Sequence, residues 1–172
     1  EFPQWVQSLW RKGLRVGVIG SSDHSRNAPF LQALTGLWLP QGVRSREAVL
    51  DALRARRTFA TNGPKISVLL SATGDDEGPV LVMGEEGKIK GSPRLMVEVA
   101  GTRSLETVEF YRDDRLLHVE TVGELTAKLE HVDDAAPPGE HVYWVRVIQG
   151  PEREGMRPLR GVAYSSPVWL TV

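Results

Sequence analysis

Asp23 and His24 stand side by side at the end of the run Val16-Gly17-Val18-Ile19-Gly20-Ser21-Ser22. They are the pair in this chain best suited to hold a metal ion. An ionised carboxylate and a neutral imidazole nitrogen bind a zinc-like ion at about 2.0–2.2 Å. Neighbouring residues of an extended strand face opposite ways, so both can reach one metal cluster only if the chain turns sharply, a freedom that Gly20-Ser21-Ser22 supplies. Asp23 would then serve as an ionised ligand or as the base that takes a water's proton, and His24 as a neutral ligand. The same dipeptide also fits a plain turn with His24 in solvent. A catalytic metal needs three or more protein ligands and an open position for water, and nothing else in the sequence completes such a set. Three weaker substrate candidates follow. Arg26 and Asn27 could contact an anion, since guanidinium pairs with phosphate or carboxylate through two hydrogen bonds, and both equally fit a solvated loop. Trp38 could wall an aromatic ester or simply hold the loop against its neighbours.

The elements that must position these residues read as two kinds. Trp5, Val6, Leu9 and Trp10 fall at helical spacing from Gln4 to Lys12, with Gly13 as a left-handed stop. Leu14 to Gly20 is nearly continuous in apolar residues, the pattern of a strand buried on both faces of a parallel sheet. After a long connection, Ser45 caps a second helix with Glu47 in its first turn, and Arg54, Arg56 and Arg57 close it. Thr58 to Gly63 reads as the turn that ends this α/β segment. From Ile66 onward the pattern becomes short strands and turns: 66–70, 94–100, 106–112, 115–121, 125–131, 141–149 and 168–172. Alternation such as Leu95, Val97 and Val99, with a hairpin turn at Asp113-Asp114, predicts a β-sandwich.

Composition narrows the function classes. The 172 residues are 41% hydrophobic and 25% charged, and 21 basic against 22 acidic side chains leave a net charge of -1. No global field attracts a polyanion, so no nucleic-acid partner is expected. No apolar run approaches the roughly 18 residues that cross a bilayer, so no membrane partner is expected either. Without cysteine there is no disulfide, thiolate metal site or thiol nucleophile. His118, His131 and His141 lack metal spacing, and the acidic pairs at Asp75-Asp76-Glu77 and Glu85-Glu86 lack the alternating oxygen spacing of a calcium loop. Phosphate loops, nucleophile elbows and dinucleotide fingerprints are absent.

Three stretches carry a resemblance: Val16-Gly17-Val18-Ile19-Gly20-Ser21-Ser22-Asp23-His24, the 45–63 stretch that includes Leu53-Arg54-Ala55-Arg56-Arg57-Thr58-Phe59-Ala60-Thr61-Asn62-Gly63, and Tyr164-Ser165-Ser166-Pro167-Val168-Trp169. Together they resemble the C-terminal part of the PHP (polymerase and histidinol phosphatase) superfamily, in its carbaryl-hydrolase-like CehA/McbA branch. The resemblance implies a distorted β/α barrel that holds divalent ions (Mn, Fe or Zn) and hydrolyses an ester, carbamate or phosphoester with metal-activated water, followed by a β-sandwich. It places Asp23 and His24 at the last metal-binding motif of that barrel. The family commonly has Asp-x-His, whereas here Ser25 occupies the second position and the imidazole is adjacent. The family's His-x-His and its middle ligands have no counterpart, so the missing N-terminal barrel portion is expected as a partner, and the isolated chain is expected to show little turnover.

The expectation is therefore α+β overall: residues 1–62 as the last α/β segment of a PHP-like barrel and 63–172 as an all-β sandwich, in a parent acting on a small-molecule ester or phosphoester. The alternative is a non-catalytic β-sandwich binding or assembly module with a structural α/β segment.

Overall fold

Strict alternation of apolar and polar side chains builds the molecule. In the strand Arg94–Ala100, Leu95, Val97 and Val99 are buried while Glu98 is exposed, the pattern of a sheet with one covered face. The computed structural model describes residues 4–21, 33–39, 42–75, 78–151 and 160–172. Its elements are α1 (Gln4–Arg11), β1 (Leu34–Leu37), α2 (Arg46–Arg54), β2 (Thr58–Thr61), β3 (Ser67–Thr73), β4 (Leu81–Val82), β5 (Glu86–Lys88), β6 (Arg94–Ala100), β7 (Leu105–Arg112), β8 (Arg115–Thr121), β9 (Thr126–Val132), β10 (Glu140–Pro151), β11 (Arg160–Ser165) and β12 (Val168–Thr171).

Two sheets face each other. The smaller runs β4-β3-β6-β9 and is antiparallel throughout. In the larger, β10 pairs along one edge with β7, which pairs with β8, and along the other with both β11 and β12. β11 and β12 thus act as one strand interrupted at Ser166-Pro167. β2 and β1 continue outward from β11, and β5 adds to β12 in parallel. Between the sheets lie Leu70, Val97, Phe110, Val145, Val147 and Leu170, each at most 1% exposed. A second apolar cluster covers the outer face of the larger sheet, where α1 lays Val6 and Trp10 against Val142, Trp144 and Trp169. Tyr111 stacks on Trp144 at 4.0 Å between centroids.

The α+β expectation, with residues 1–62 as a barrel segment, is overturned: strand far outweighs helix in the described residues. Among the described residues there are two helices, and β1 and β2 pair antiparallel and extend the sandwich's own larger sheet. Thr58–Thr61, read above as a closing turn, is a strand between β1 and β11, and its β11 partners lie about a hundred residues away, Thr61 facing Ala163. The run Leu14 to Gly20 joins no sheet ladder and is not buried on both faces: Val18 is 5% exposed and Ile19 68%.

Local chemistry explains the helix ends and the first hairpin. Ser45 accepts the Ala48 N–H at 3.1 Å as the expected cap of α2. Asp113, with φ of 53°, opens the two-residue turn between β7 and β8 at the expected place, and its carboxylate accepts the Val142 N–H. The three arginines at the end of α2 and just beyond it are engaged within the fold. Arg54 pairs with Asp51, Arg56 donates to the Gly84 carbonyl and lies over Trp169, and Arg57 binds Glu85 and lies over Trp38.

Candidate functional site

The chain leading to Asp23 is held by hydroxyl groups rather than by a strand ladder. Thr58 Oγ1 donates to the Val18 carbonyl at 2.6 Å, and the Val18 N–H donates to Ser166 Oγ at 2.9 Å. The two hydroxyls lie 2.8 Å apart. A hydroxyl has one proton, and Thr58 has already given its own to Val18, so the bond between them runs from Ser166 to Thr58. The result is a closed ring of three hydrogen bonds, each donor spent once. Thr58 is 2% exposed and Ser166 fully buried, so the ring is shielded from water.

The break between β11 and β12 frees Ser166 for this task. Ser165, on its other side, caps the gap by accepting the Val145 N–H of β10 at 3.1 Å. Gly17 is required by close approach: a Cβ there would lie 2.8 Å from Ser166 Oγ and 3.0 Å from Arg56 Cβ. Two further contacts fix the same segment. Trp10 Nε1 donates to the Val16 carbonyl at 2.9 Å, and Thr35 Oγ1 both accepts from the Gly20 N–H at 3.0 Å and donates to the Gly20 carbonyl at 2.8 Å. Thr35 Oγ1 sits there because Gly20 has no Cβ, which would otherwise stand 2.4 Å from the Leu34 carbonyl oxygen.

Asp23, His24, Arg26 and Asn27 lie outside the described residues. Trp38, the remaining candidate, is half-buried beside the inter-sheet core, and the Arg57 guanidinium lies 5.6 Å from its ring centroid. With Phe59 and Val68 it lines a cavity of about 520 Å³ at one end of the sandwich, rimmed by the Glu98–Lys128 ion pair. The other sequence candidates are dispersed. Asp75 accepts the Ser92 N–H, Glu85 accepts the Val82 N–H, and Glu86 pairs with Arg15. His141 bridges Asp113 and the Pro137 carbonyl. Among the described residues no group of three or more His, Asp or Glu side chains could hold a metal ion.

Polar clusters missed in the sequence support the sheets. On the outer face of the larger sheet Arg146 grips both oxygens of Glu109, at 2.7 and 2.8 Å, and Tyr111 donates to the same carboxylate. Burial, then the hydrogen bond to Glu109, pushes the Tyr111 phenol up to about 12. Arg112 and Tyr143 both donate to Asp133, and the Arg112 and Asp133 side chains are 8% and 4% exposed. His118 of β8 and His131 of β9 stack at 5.0 Å across the open edge between the two sheets. Burial, and then the neighbouring His118, hold His131 below its ordinary 6.5. Of the ring residues, Ser166 entered the sequence reading only through a resemblance stretch, and Thr58 through another and as the first residue of the expected turn.

No family model matches the chain, and no solved structure gives a significant match. Three relatives do, each an uncharacterised protein. One from Chlamydia pneumoniae is 28% identical over 180 residues, covering 93% of this chain and 28% of its own length. Those from Chlamydia muridarum and Chlamydia trachomatis are 27% and 25% identical, each covering 96% of this chain and 28% of its own length. The chain thus spans little more than a quarter of the relatives it matches.

Proposed function

We propose that this chain is part of a longer metal-dependent hydrolase of the PHP superfamily, acting on a small ester, carbamate or phosphoester. One observation carries the reading. The three stretches that bear the resemblance, around residues 18, 58 and 166, are far apart in sequence and meet in a single buried hydrogen-bonded ring. That convergence makes them one anchoring device for the segment that ends at Asp23 and His24.

The donor types suit the chemistry. Carboxylate and imidazole together fit Mn, Fe or Zn, and two donors fall short of a catalytic set, so further ligands would come from the rest of the longer polypeptide. Bound divalent ions lower the pKa of water and polarise the ester or phosphoryl oxygen. The chain's own part is positional: the ring fixes Val18, and Thr35 fixes Gly20, three residues before Asp23. Rigid approach of this kind keeps ligands within the fraction of an ångström that such sites need. The test is metal content of the full gene product by mass spectrometry, with hydrolysis of p-nitrophenyl esters and phosphate. Stoichiometric Mn, Fe or Zn, reduced by at least about tenfold in a folded Asp23→Ala variant, is the expected result. Metal content and hydrolysis unchanged in Asp23→Ala would sink the reading.

A second reading, a ligand-binding sandwich, is favoured by the cavity lined by Trp38 and Phe59. Aromatic faces beside a charged rim suit a sugar ring or peptide. Binding that survives Asp23→Ala and disappears in Trp38→Ala would select it.

A further inference from the structure

The segment Val16–Gly20 has two edges, and only one is used. Val16, Val18 and Gly20 turn their backbone groups to the sandwich, where Trp10, Ser166, Thr58 and Thr35 bind them. Bonding at every second residue is the signature of an extended strand, whose intervening residues face the other way. Those are Gly17 and Ile19, and among the described residues their N–H and C=O groups have no partner. Four main-chain groups at strand spacing therefore form an open pairing edge.

Its surroundings differ from those of the sheet edges β8 and β9. β8 and β9 carry Arg115, Glu120, Lys128 and Glu130, charges of the kind that discourage strand addition. Beside Gly17 and Ile19 lies a cavity of about 580 Å³ lined by Leu9, Val16, Ile19, Ala33, Ala60 and Tyr164, with no charged residue in its wall. Ile19 is 68% exposed above it. An apolar floor next to free main-chain donors and acceptors is the combination by which sheets recruit a further strand.

We propose that Val16–Gly20 is a receptor strand, and that its occupant is an apolar β-strand from another part of the same longer polypeptide. More than two-thirds of each relative lies outside the matched region, so ample chain exists to supply it. The added strand bonds through Gly17 and Ile19 and lays alternate apolar side chains into the cavity. This holds whether or not the longer protein hydrolyses anything.

Amide hydrogen exchange tests it, comparing the 172-residue chain with the full product of its gene. In the 172-residue chain the Gly17 and Ile19 amides exchange freely while Val18 and Gly20 are slowed. In the full product Gly17 and Ile19 are slowed by at least about a hundredfold. Ile19→Pro, which deletes one outward donor and spares the inward ones, lowers the Tm of the full product and leaves that of the 172-residue chain unchanged. Free exchange at both residues in the full product overturns the proposal. So does protection that grows with concentration in the 172-residue chain, which would make a second copy the occupant, and so does protection there at every concentration.

Discussion

Removing the Ser166 hydroxyl tests the ring most directly. Ser166→Ala deletes two of its three bonds and strands the Val18 N–H in a buried site, while Ser166's own backbone bond to the Thr58 carbonyl, at 2.9 Å, is untouched. A net hydrogen bond is worth about 1 kcal/mol, and an orphaned buried donor costs about 1–3 kcal/mol, so the loss should be about 2–4 kcal/mol. For 172 residues the unfolding entropy of about 2.1 cal/mol/K per residue turns this into a Tm lower by roughly 6–11 °C. Thr58→Val also deletes two bonds, those to the Val18 carbonyl and from Ser166. The two single variants together count four lost bonds, whereas the double variant loses three. The double variant should therefore be more stable than the sum of the singles by about 1 kcal/mol. Thermal and urea unfolding of the four proteins measure the cycle, and exchange of the Val18 amide reports whether the segment has come loose locally. Singles within about 0.5 kcal/mol of the parent, with Val18 exchange unchanged, would refute the ring and its proton order.

Two further outcomes follow from the polar clusters. Arg112→Met leaves the Asp133 carboxylate, 4% exposed, without its cation, and should cost about 3–5 kcal/mol, most of it recovered by adding Asp133→Leu together with Tyr143→Phe, which removes the hydroxyl that would otherwise be orphaned; urea denaturation of the single and triple variants checks this. His131 binds its proton less readily in the fold than at its ordinary 6.5, so the unfolded chain gains protons first on acidification. Stability should fall as pH drops below 6.5 and level off once the folded-state value is passed. The His131→Phe variant should show a flatter profile in denaturation midpoints measured between pH 5 and 8, a range spanning about a unit and a half either side of that value.

The sandwich was legible wherever alternation met a turn. The bounds of β6 and β8 match the sequence reading, because apolar residues alternate between clear breaks and Asp113-Asp114 marks the hairpin. β2 was missed because Thr58–Thr61 is four residues long, sits between a basic helix end and Asn62-Gly63-Pro64, and has partners, β1 and β11, that local pattern does not reveal. β1 hides behind Gly36, whose missing side chain admits the Phe59 ring. The hardest case was Leu14 to Gly20. Continuous apolar character suits a strand buried in a parallel sheet and equally a single extended segment tied down by side chains, and periodicity does not separate them. The hydroxyls that do the tying, Thr58 and Ser166, look like any strand threonine or loop serine until both reach Val18.

Val18 and Ser166 are 148 residues apart, and that separation has a consequence for biosynthesis. At the usual ribosomal pace of about 5–20 residues per second, roughly 7–30 s pass between the making of the first and the arrival of the second. During that interval the Val16–Gly20 segment lacks its Ser166 bond and has only Trp10, Thr35 and Thr58 as partners among the described residues. The Val16–Gly20 segment is therefore open to proteases and to wrong strand partners until residue 166 has been made, and synthesis that stops before Ser165-Ser166-Pro167 leaves a product in which the ring cannot close.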